Sequence, residues 1–218
     1  MPVFNPSSNS GVGGTASNPD ITYSDAIELL RLNFEGANNG TTFTDSSANN
    51  LTVSNTGGVI TSTAQFYAGT SSGLFSGSNN LTITDNVFNS PLEMHIRCFL
   101  RPTAFNGGYN LYIDTRASGG DGLGFTAGFD SNGKLLVYHS GIVISNVGNI
   151  SLNTWAQIDI VVLNSILMLF QDTVYVGSSG VLTPSNHTIT LGRAVDNSNG
   201  YTGYIDGLFI KTRSASVL

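Results

Sequence analysis

Short segments of alternating apolar and polar residues, separated by turn-forming residues, recur along this chain. The clearest is 92–101, which we interpret as a strand ending at Pro102. Its predicted core-facing residues are Met94, Ile96, Cys98 and Leu100. A helix is suggested only near 25–32, and we favour a strand for the second half of that segment. Strands of this length, joined by turn residues, predict an all-β sandwich of two antiparallel sheets.

Composition excludes several classes of protein. The chain has 218 residues, of which 40% are hydrophobic, so it can bury a core and is not a disordered polar chain. Eight Lys and Arg residues stand against 14 Asp and Glu residues, which argues against a basic face for nucleic acid. The longest apolar run, near 158–170, contains polar residues and is too short for a membrane span. We therefore predict neither nucleic acid nor membrane as a partner.

The ends of the chain and its single cysteine add four expectations. Cys98 has no second cysteine to pair with and lies among apolar residues, so we expect a buried, unreactive thiol. The first residues lack the basic and apolar regions of a signal peptide. Residues 1–24 are rich in Gly, Ser, Asn and Pro, which predicts an extended arm with Val3 and Phe4 as its apolar anchors. The folded domain is then 25–213, with a short tail at 214–218.

Three motifs in the second half of the chain carry a family resemblance. Trp155 opens an apolar strand, Leu-Gly-Arg follows at 191–193, and Gly-Tyr-Ile-Asp follows at 203–206. Together with Phe-Glu-Gly at 34–36, they resemble the laminin-G-like branch of the concanavalin A-like lectin and glucanase jelly rolls. The resemblance covers roughly 28–213 and implies that the terminal strands, 28–36 and 201–211, lie side by side.

The closing strand and one hairpin carry further expectations. In 201–211 we expect one face to hold Tyr204, Asp206 and Leu208 and the other to hold Ile205 and Phe209. The family usually has Asp-Gly after its Leu-Phe strand, whereas residues 172–173 are Asp-Thr. We therefore expect that hairpin to close differently.

Two polar rows are candidates for glycan binding. Glu93, His95 and Arg97 share one face of their strand, and a second strand could supply a neighbouring row. The predicted glycan-binding residues are His95, Arg97, Phe99, Tyr112, Asp114 and Arg116, with Tyr138 as a further exposed aromatic candidate. In a polysaccharide lyase an Arg would neutralise a uronate and a His or Tyr would move a proton. The alternative is a polar outer face whose side chains pair with one another.

The resemblance raises the questions of whether the chain has glucanase activity and whether it binds a cofactor. The chain has no Glu-x-Asp-x-Glu or comparable pair for glycoside hydrolysis, so we expect no enzyme activity. We expect no cofactor, and the alternative left open is a structural calcium, which relatives often carry. Its candidate ligands are Glu35 and Asp206 on the terminal strands, with Asp45 and Asp196 as loop alternatives. The three histidines are too scattered for a zinc site.

One apolar set is expected to face outward. If alternate residues of 158–170 face the core, the outward residues are Val161, Leu163, Met168 and Phe170. A cluster of this size implies cover by another chain or by a long loop of the same chain. We favour the first, which predicts a homo-oligomer or other intermolecular contact.

Composition and resemblance together predict a function. Laminin-G-like domains occur as accessory modules on phage capsids and tails, and this chain has no disulfide and a flexible arm. The leading hypothesis is a non-enzymatic bacteriophage virion structural protein, a capsid decoration (cement) protein or a head or tail appendage. It would assemble in the host cytoplasm with other virion proteins, anchored by its arm. The alternative is a carbohydrate-binding module or host-glycan adhesin, and the remote alternative is a polysaccharide lyase.

Overall fold

The protein is an antiparallel β-sandwich. A computed structural model describes residues 27–84, 93–116, 124–139, 142–163, 165–181 and 188–213, where fifteen strands, numbered in chain order, form two sheets. The all-β prediction is therefore confirmed. No helix in these ranges is long and apolar enough to cross a membrane. The predicted arm, with Val3 and Phe4, and the tail at 214–218 lie outside the described residues.

The first sheet has eight strands. They are β1 (Ile27–Leu32), β3 (Ile60–Ser62), β4 (Ser72–Ser76), β6 (Glu93–Ala104), β11 (Ala156–Leu163), β12 (Ile166–Gln171), β13 (Val174–Val181) and β15 (Thr202–Arg213). Their order is β13-β12-β11-β6-β15-β4-β3, and β1 also pairs with β15. In that pairing Arg31 lies opposite Phe209, so the predicted contact between the terminal strands is confirmed.

The second sheet has seven strands. They are β2 (Val53–Thr56), β5 (Asn80–Ile83), β7 (Tyr109–Asp114), β8 (Thr126–Asp130), β9 (Leu135–Tyr138), β10 (Ile142–Val147) and β14 (Ile189–Leu191). Their order is β10-β9-β8-β7-β14-β5-β2. Because β6 and β7 are consecutive in the chain but lie in different sheets, the chain crosses the sandwich between them.

The core lies between the sheets and matches the predicted alternation of β6. The four residues predicted to face inward are buried: Met94, Ile96, Cys98 and Leu100. Burial raises the pKa of the Cys98 thiol far above its usual range, as expected for an unreactive thiol. Among the described residues, the largest side chain with no exposure is that of Tyr201, whose hydroxyl donates to the carbonyl of Tyr204 at 2.8 Å.

A bulge in β15 changes which residues of that strand face inward. Asp206 lies opposite Phe99 and Phe209 lies opposite Arg97, so β15 uses one residue more than β6 over the same length. Gly207 supplies this bulge with a φ of +55°. Beyond the bulge Leu208 is buried in the core. The prediction for Leu208 and Phe209 is therefore wrong, since an inserted residue exchanges the two faces.

Strand β6 also continues beyond the point where we expected it to end. It runs through Pro102 to Ala104. On one side its neighbour β11 begins at Ala156, opposite Leu100, so Pro102 lies beyond the last paired residue there. The missing N–H of proline therefore costs no ladder hydrogen bond on that side.

The β12–β13 hairpin closes through a two-residue turn. Gln171 pairs with Val174, and the residues between them, Asp172 and Thr173, have φ values of +49° and +71°. Positive φ at both positions is typical of a type I′ turn, which an Asp-Gly pair would also form. The expectation of a different closure is wrong.

Replacing Thr173 by glycine should stabilise the protein. A β-branched residue is strained at positive φ, so Thr173→Gly should raise the free energy of unfolding by about 1 kcal/mol. Urea denaturation measures the change. Thr52→Gly, at an exposed loop position where φ is not positive, is the matched control and should lose a few tenths of a kcal/mol, on the order of 0.5. Equal losses in both variants would contradict the assignment of strain to Thr173.

Candidate functional site

The structure separates the six residues predicted to bind glycan. They are His95, Arg97, Phe99, Tyr112, Asp114 and Arg116. The three on β6 lie on the outer face of the eight-stranded sheet, whereas Asp114 and Arg116 lie on the outer face of the seven-stranded sheet. Tyr112 is 2% exposed and packs in the core, at a bulge in β7. The prediction of one shared row is wrong because β6 and β7 belong to different sheets.

The outer face of the seven-stranded sheet carries a groove made of two cavities, both lined by Arg116. The first, which we call the tyrosine cavity, has a volume of about 330 Å³. Leu111 and Leu136 lie at its floor, in register with Gly128 between them, and form a small apolar cluster separate from the core. Tyr109 and Tyr138 line the same cavity and are 44% and 36% exposed. The cavity thus combines an apolar floor with two accessible aromatic rings.

Asparagines in left-handed conformations contribute to the groove. Asn146 and Asn199 line the tyrosine cavity with φ values of +59° and +50°, and Asn197 lines the other cavity with a φ of +67°. Asparagine is enriched among residues with positive φ, and such conformations concentrate at binding sites. Two loop asparagines and one asparagine of β10 thereby line the groove.

The second cavity, which we call the threonine cavity, has a volume of about 420 Å³. Its lining is Thr56, Asn80, Thr82, Arg116, Thr188, Thr190, Val195 and Asn197. Thr82 lies opposite Thr190, and Thr190 lies opposite Asp114, because β5, β14 and β7 are neighbours. This cavity is therefore rich in hydroxyl groups. These threonines were not among the predicted site residues, although Thr82 and Thr190 each lie between two apolar residues of their strand, a pattern visible in the sequence.

Arg116 is held in place at the junction of the two cavities. Asp114 is fully buried and accepts hydrogen bonds from Arg116 Nε at 3.0 Å and Nη2 at 2.8 Å. The same carboxylate accepts the N–H of Val195 at 2.9 Å, which ties the 192–200 loop to β7. The guanidinium carbon lies 5.9 Å from the centroid of the Tyr138 ring. Asp114 therefore positions Arg116, and Arg116 presents a fixed cation to the groove.

On the opposite sheet, His95 and Arg97 belong to a buried polar cluster. Asp159 has no exposed surface and accepts from His95 Nε2 at 2.7 Å, Arg97 Nε at 2.6 Å and Gln157 Nε2 at 2.6 Å. Burial raises the pKa of Asp159, but hydrogen bonds from His95 and Gln157 and the charge of Arg97 outweigh it and bring this pKa below its usual value. For these residues the geometry matches the alternative of a mutually paired polar face.

The apolar set predicted to need a covering chain is largely covered by its own sheet. Val161 and Phe170 are 0% and 3% exposed, and Leu163 and Met168 are half-buried. Val161 lies in register between His95 and Met168, and the Phe170 ring packs edge-on against Tyr175 with centroids 5.7 Å apart. The expectation of a large exposed patch at these four residues is wrong, because neighbouring side chains of the same face cover it.

Phe99 and the predicted calcium ligands both contact the loop at 66–70. The Tyr67 ring stacks on Phe99 with centroids 3.7 Å apart. Asp206 accepts the N–H groups of Tyr67 and Ala68 at 2.8 and 3.0 Å, and Glu35 accepts the N–H of Thr70. These two carboxylates hold the loop against the eight-stranded sheet.

A calcium ion would need more oxygen ligands than these two carboxylates provide. The described residues contain no group of three His, Cys, Asp or Glu that could hold a metal. The loop alternatives are engaged locally: Asp45 accepts the N–H groups of Arg31 and Leu51, and Asp196 accepts that of Ser198. Loop carbonyls would have to complete the six to eight ligands that Ca²⁺ usually takes. Calcium stays a prediction.

The pH dependence of stability tests the burial of Asp206 against the loop at 66–70. Burial raises the pKa of Asp206, backbone N–H groups partly offset this, and the nearby Glu35 charge raises the pKa further, so the net shift is upward. A raised folded-state pKa means that Asp206 costs stability as pH rises above its unfolded value of about 4. The melting temperature of Asp206→Asn should therefore rise relative to that of the wild type as pH increases from about 4 to 7. An opposite trend would contradict the raised pKa of Asp206.

Calcium binding has a separate test. A wild-type melting temperature unchanged by millimolar calcium at pH 7 would make the calcium prediction wrong.

The family follows from the sequence of the same strands. A laminin-G family model, described as the concanavalin A-like lectin/glucanases superfamily, matches residues 75–217. The chain belongs to this superfamily. The match includes β6, β7, β14 and β15, so both sheets and most of the groove lie within it. No curated protein matches the sequence.

Solved structures share the fold of this superfamily member at low sequence identity. Domain 4 of AbnA, a GH43 extracellular arabinanase from Geobacillus stearothermophilus, in complex with arabinotriose, is 15% identical with a TM-score of 0.63. The match covers 87% of this chain and 94% of that one. The binding domain of botulinum neurotoxin DC in complex with SialylT is 18% identical with a TM-score of 0.59, covering 87% and 48%. The chain thus spans about half the length of the toxin chain.

Proposed function

We propose that this protein is a carbohydrate-binding module that holds a glycan in the groove of the seven-stranded sheet. The observation that carries the proposal is the pairing of two accessible tyrosines over an apolar floor with a fixed arginine and hydroxyl-lined walls. Sugars present apolar C–H faces and rings of hydroxyl groups. Aromatic rings can stack on the former, and Thr, Asn and Arg side chains can hydrogen-bond the latter.

Structures with the same fold support this choice of ligand class. The arabinanase domain was solved with arabinotriose and the toxin binding domain with SialylT. A further structure of this fold concerns botulinum neurotoxin type C, whose cell entry is described as dependent upon interaction with two ganglioside molecules; it is 15% identical with a TM-score of 0.61. At such identities the likeness is one of fold, so the groove residues of this chain must carry the proposal.

Binding without cleavage is part of the proposal. Glycoside hydrolysis needs two carboxyl groups on either side of the scissile bond. Among the described residues that line the groove, one carries a carboxylate, Asp130. This carboxylate caps its own turn by accepting the N–H groups of Asn132 and Lys134 at 2.8 and 2.9 Å. Asp114 lies beneath the groove, where Arg116 engages it. These roles suit a scaffold that orients a ligand.

A virion role remains a prediction from composition, resemblance and the N-terminal arm. The burial of Val161 and Phe170 removes the argument for a covering partner that rested on them. A phage appendage that binds host glycans would reconcile both hypotheses, and in that case the groove would be its adhesive surface.

A glycan array probed with the purified wild-type chain tests the proposal. We expect selective binding to a set of related glycans. The Tyr175→Ala variant should give the same pattern, because Tyr175 is 42% exposed but lies on the eight-stranded sheet. Absence of binding to any neutral or acidic glycan on an array that spans plant, bacterial and animal structures would contradict the proposal.

A further inference from the structure

Asn80, one of the residues that line the threonine cavity, has a buried amide oxygen with no partner among the described residues. Asn80 is 6% exposed, and its Nδ2 donates to Thr82 Oγ1 at 2.9 Å. Its Oδ1 is buried and makes no hydrogen bond with any described residue. Buried side-chain oxygens are rarely left unpaired in native proteins, and each exception calls for an explanation.

The observation does not depend on which way the amide is turned. If the oxygen and nitrogen of Asn80 were exchanged, the oxygen would accept from the Thr82 hydroxyl and the nitrogen would be left without a partner. In both orientations one polar atom of Asn80 remains unsatisfied. In the assigned orientation, that atom is an acceptor that requires a donor.

The surroundings indicate what kind of donor fits. Asn80 lies opposite Thr56 in the β2–β5 pair, and Thr82 and Thr190 continue the lining. Threonine side chains offer hydroxyl groups beside methyl groups, and Val195 adds an apolar side chain. A sugar ring carries donors of this kind, either as hydroxyl groups or as the N–H of an acetamido group whose methyl could contact Val195.

We propose that the threonine cavity is a specificity subsite, in which Asn80 accepts a hydrogen bond from a hydroxyl or acetamido N–H of the bound glycan. This inference rests on the proposed function, since the tyrosine cavity would hold the rest of the same glycan. A site built to bind a donor rejects analogues that lack it, because the buried acceptor is then left unpaired. We expect discrimination of tenfold or more, roughly, against such analogues.

The double variant Asn80→Leu/Thr82→Val separates a binding role from a structural one. Both replacements are close in size to the native residues, and together they remove the buried donor, its partner and the unpaired oxygen. Replacing both partners of a buried hydrogen bond by apolar groups is often neutral or stabilising. The double variant should therefore melt at or above the wild-type temperature, while its affinity for the preferred glycan falls about tenfold. The single variant Thr82→Val keeps Oδ1 and should retain the discrimination.

Calorimetry measures the affinity of each protein for three kinds of ligand. They are the preferred array glycan, its single-deoxy derivatives and the form lacking any N-acetyl group. Wild-type protein should lose affinity for one of these analogues, and the double variant should bind that analogue and the parent glycan equally. Loss of affinity for a deoxy sugar identifies a hydroxyl donor, and loss for the de-N-acetylated form identifies an acetamido donor.

Two results would overturn the inference while leaving the proposed function intact. One is that the Asn80→Leu/Thr82→Val variant discriminates as the wild type does, although replacing Tyr109 and Tyr138 by alanine abolishes binding. The other is a double variant that melts well below the wild type, which would make Asn80 a structural residue. Failure of the wild type to bind any glycan would overturn the inference and the proposed function together.

Discussion

Replacing Asp159 by alanine should lower the free energy of unfolding by about 3 kcal/mol, because breaking a buried charge cluster leaves its partners uncompensated. Asp159 has no exposed surface and is contacted by His95, Arg97 and Gln157. In a domain of this size the loss corresponds to a fall in melting temperature of about 6–12 °C. Chemical denaturation and calorimetry measure both quantities.

The pH dependence gives the Asp159 prediction a second readout. The pKa of Asp159 is below its usual value, so its stabilising contribution is present above about pH 4 and is lost as pH falls through the folded-state pKa. The difference between wild type and Asp159→Ala should therefore shrink in acid. Asp130→Ala, which removes a partly exposed carboxylate from a turn, is the control and should cost less, about 1 kcal/mol. A loss below about 0.5 kcal/mol for Asp159→Ala would contradict the account of the cluster.

The variants Tyr109→Ala and Tyr138→Ala should each bind glycan with about tenfold lower affinity. This corresponds to about 1.4 kcal/mol of lost stacking and apolar contact. The two rings lie on β7 and β9, and strand spacing and rise place their Cα atoms roughly 15–20 Å apart. At that separation the effects should add, so the double variant should lose about a hundredfold. Isothermal titration with the best array glycan measures the affinities.

Tyr175→Ala is the matched control for the tyrosine variants, because its exposure is similar and its position is on the other sheet. Melting temperatures of all the variants should stay close to that of the wild type, since Tyr109 and Tyr138 are substantially exposed. Unchanged affinity in the Tyr109→Ala/Tyr138→Ala double variant would contradict the groove as the binding surface, even if the protein binds glycan.

The sequence predicted which residues alternate between the two faces of a single strand. It predicted only part of how the strands pair with one another. The inward residues of β6 and the pairing of β1 with β15 followed from the period of two and from the family resemblance. The faces of Leu208 and Phe209 did not, because the bulge at Gly207 inserts one residue and the sequence pattern alone does not locate it. A glycine was visible there, but glycines also occur in strands without a bulge.

The groove could not be assembled from sequence because its parts are distant in the chain. Tyr109 on β7, Tyr138 on β9 and Thr190 on β14 meet only through the strand order of the seven-stranded sheet. The predicted rows failed for the same reason, since adjacent strands in sequence can belong to opposite sheets. Asp159 was missed because it lies within an apolar strand, where a single acidic residue gives no sign of its partners.

Mapping the bound glycan by NMR tests the central claim most directly. In an amide-detected titration of the ¹⁵N-labelled protein with the best array glycan, the largest shift changes should occur at Tyr109, Arg116, Tyr138 and Thr190. These residues lie on the outer face of the seven-stranded sheet. Shift changes concentrated instead around Phe99, Phe209 and Lys211, on the outer face of the eight-stranded sheet, would contradict the account.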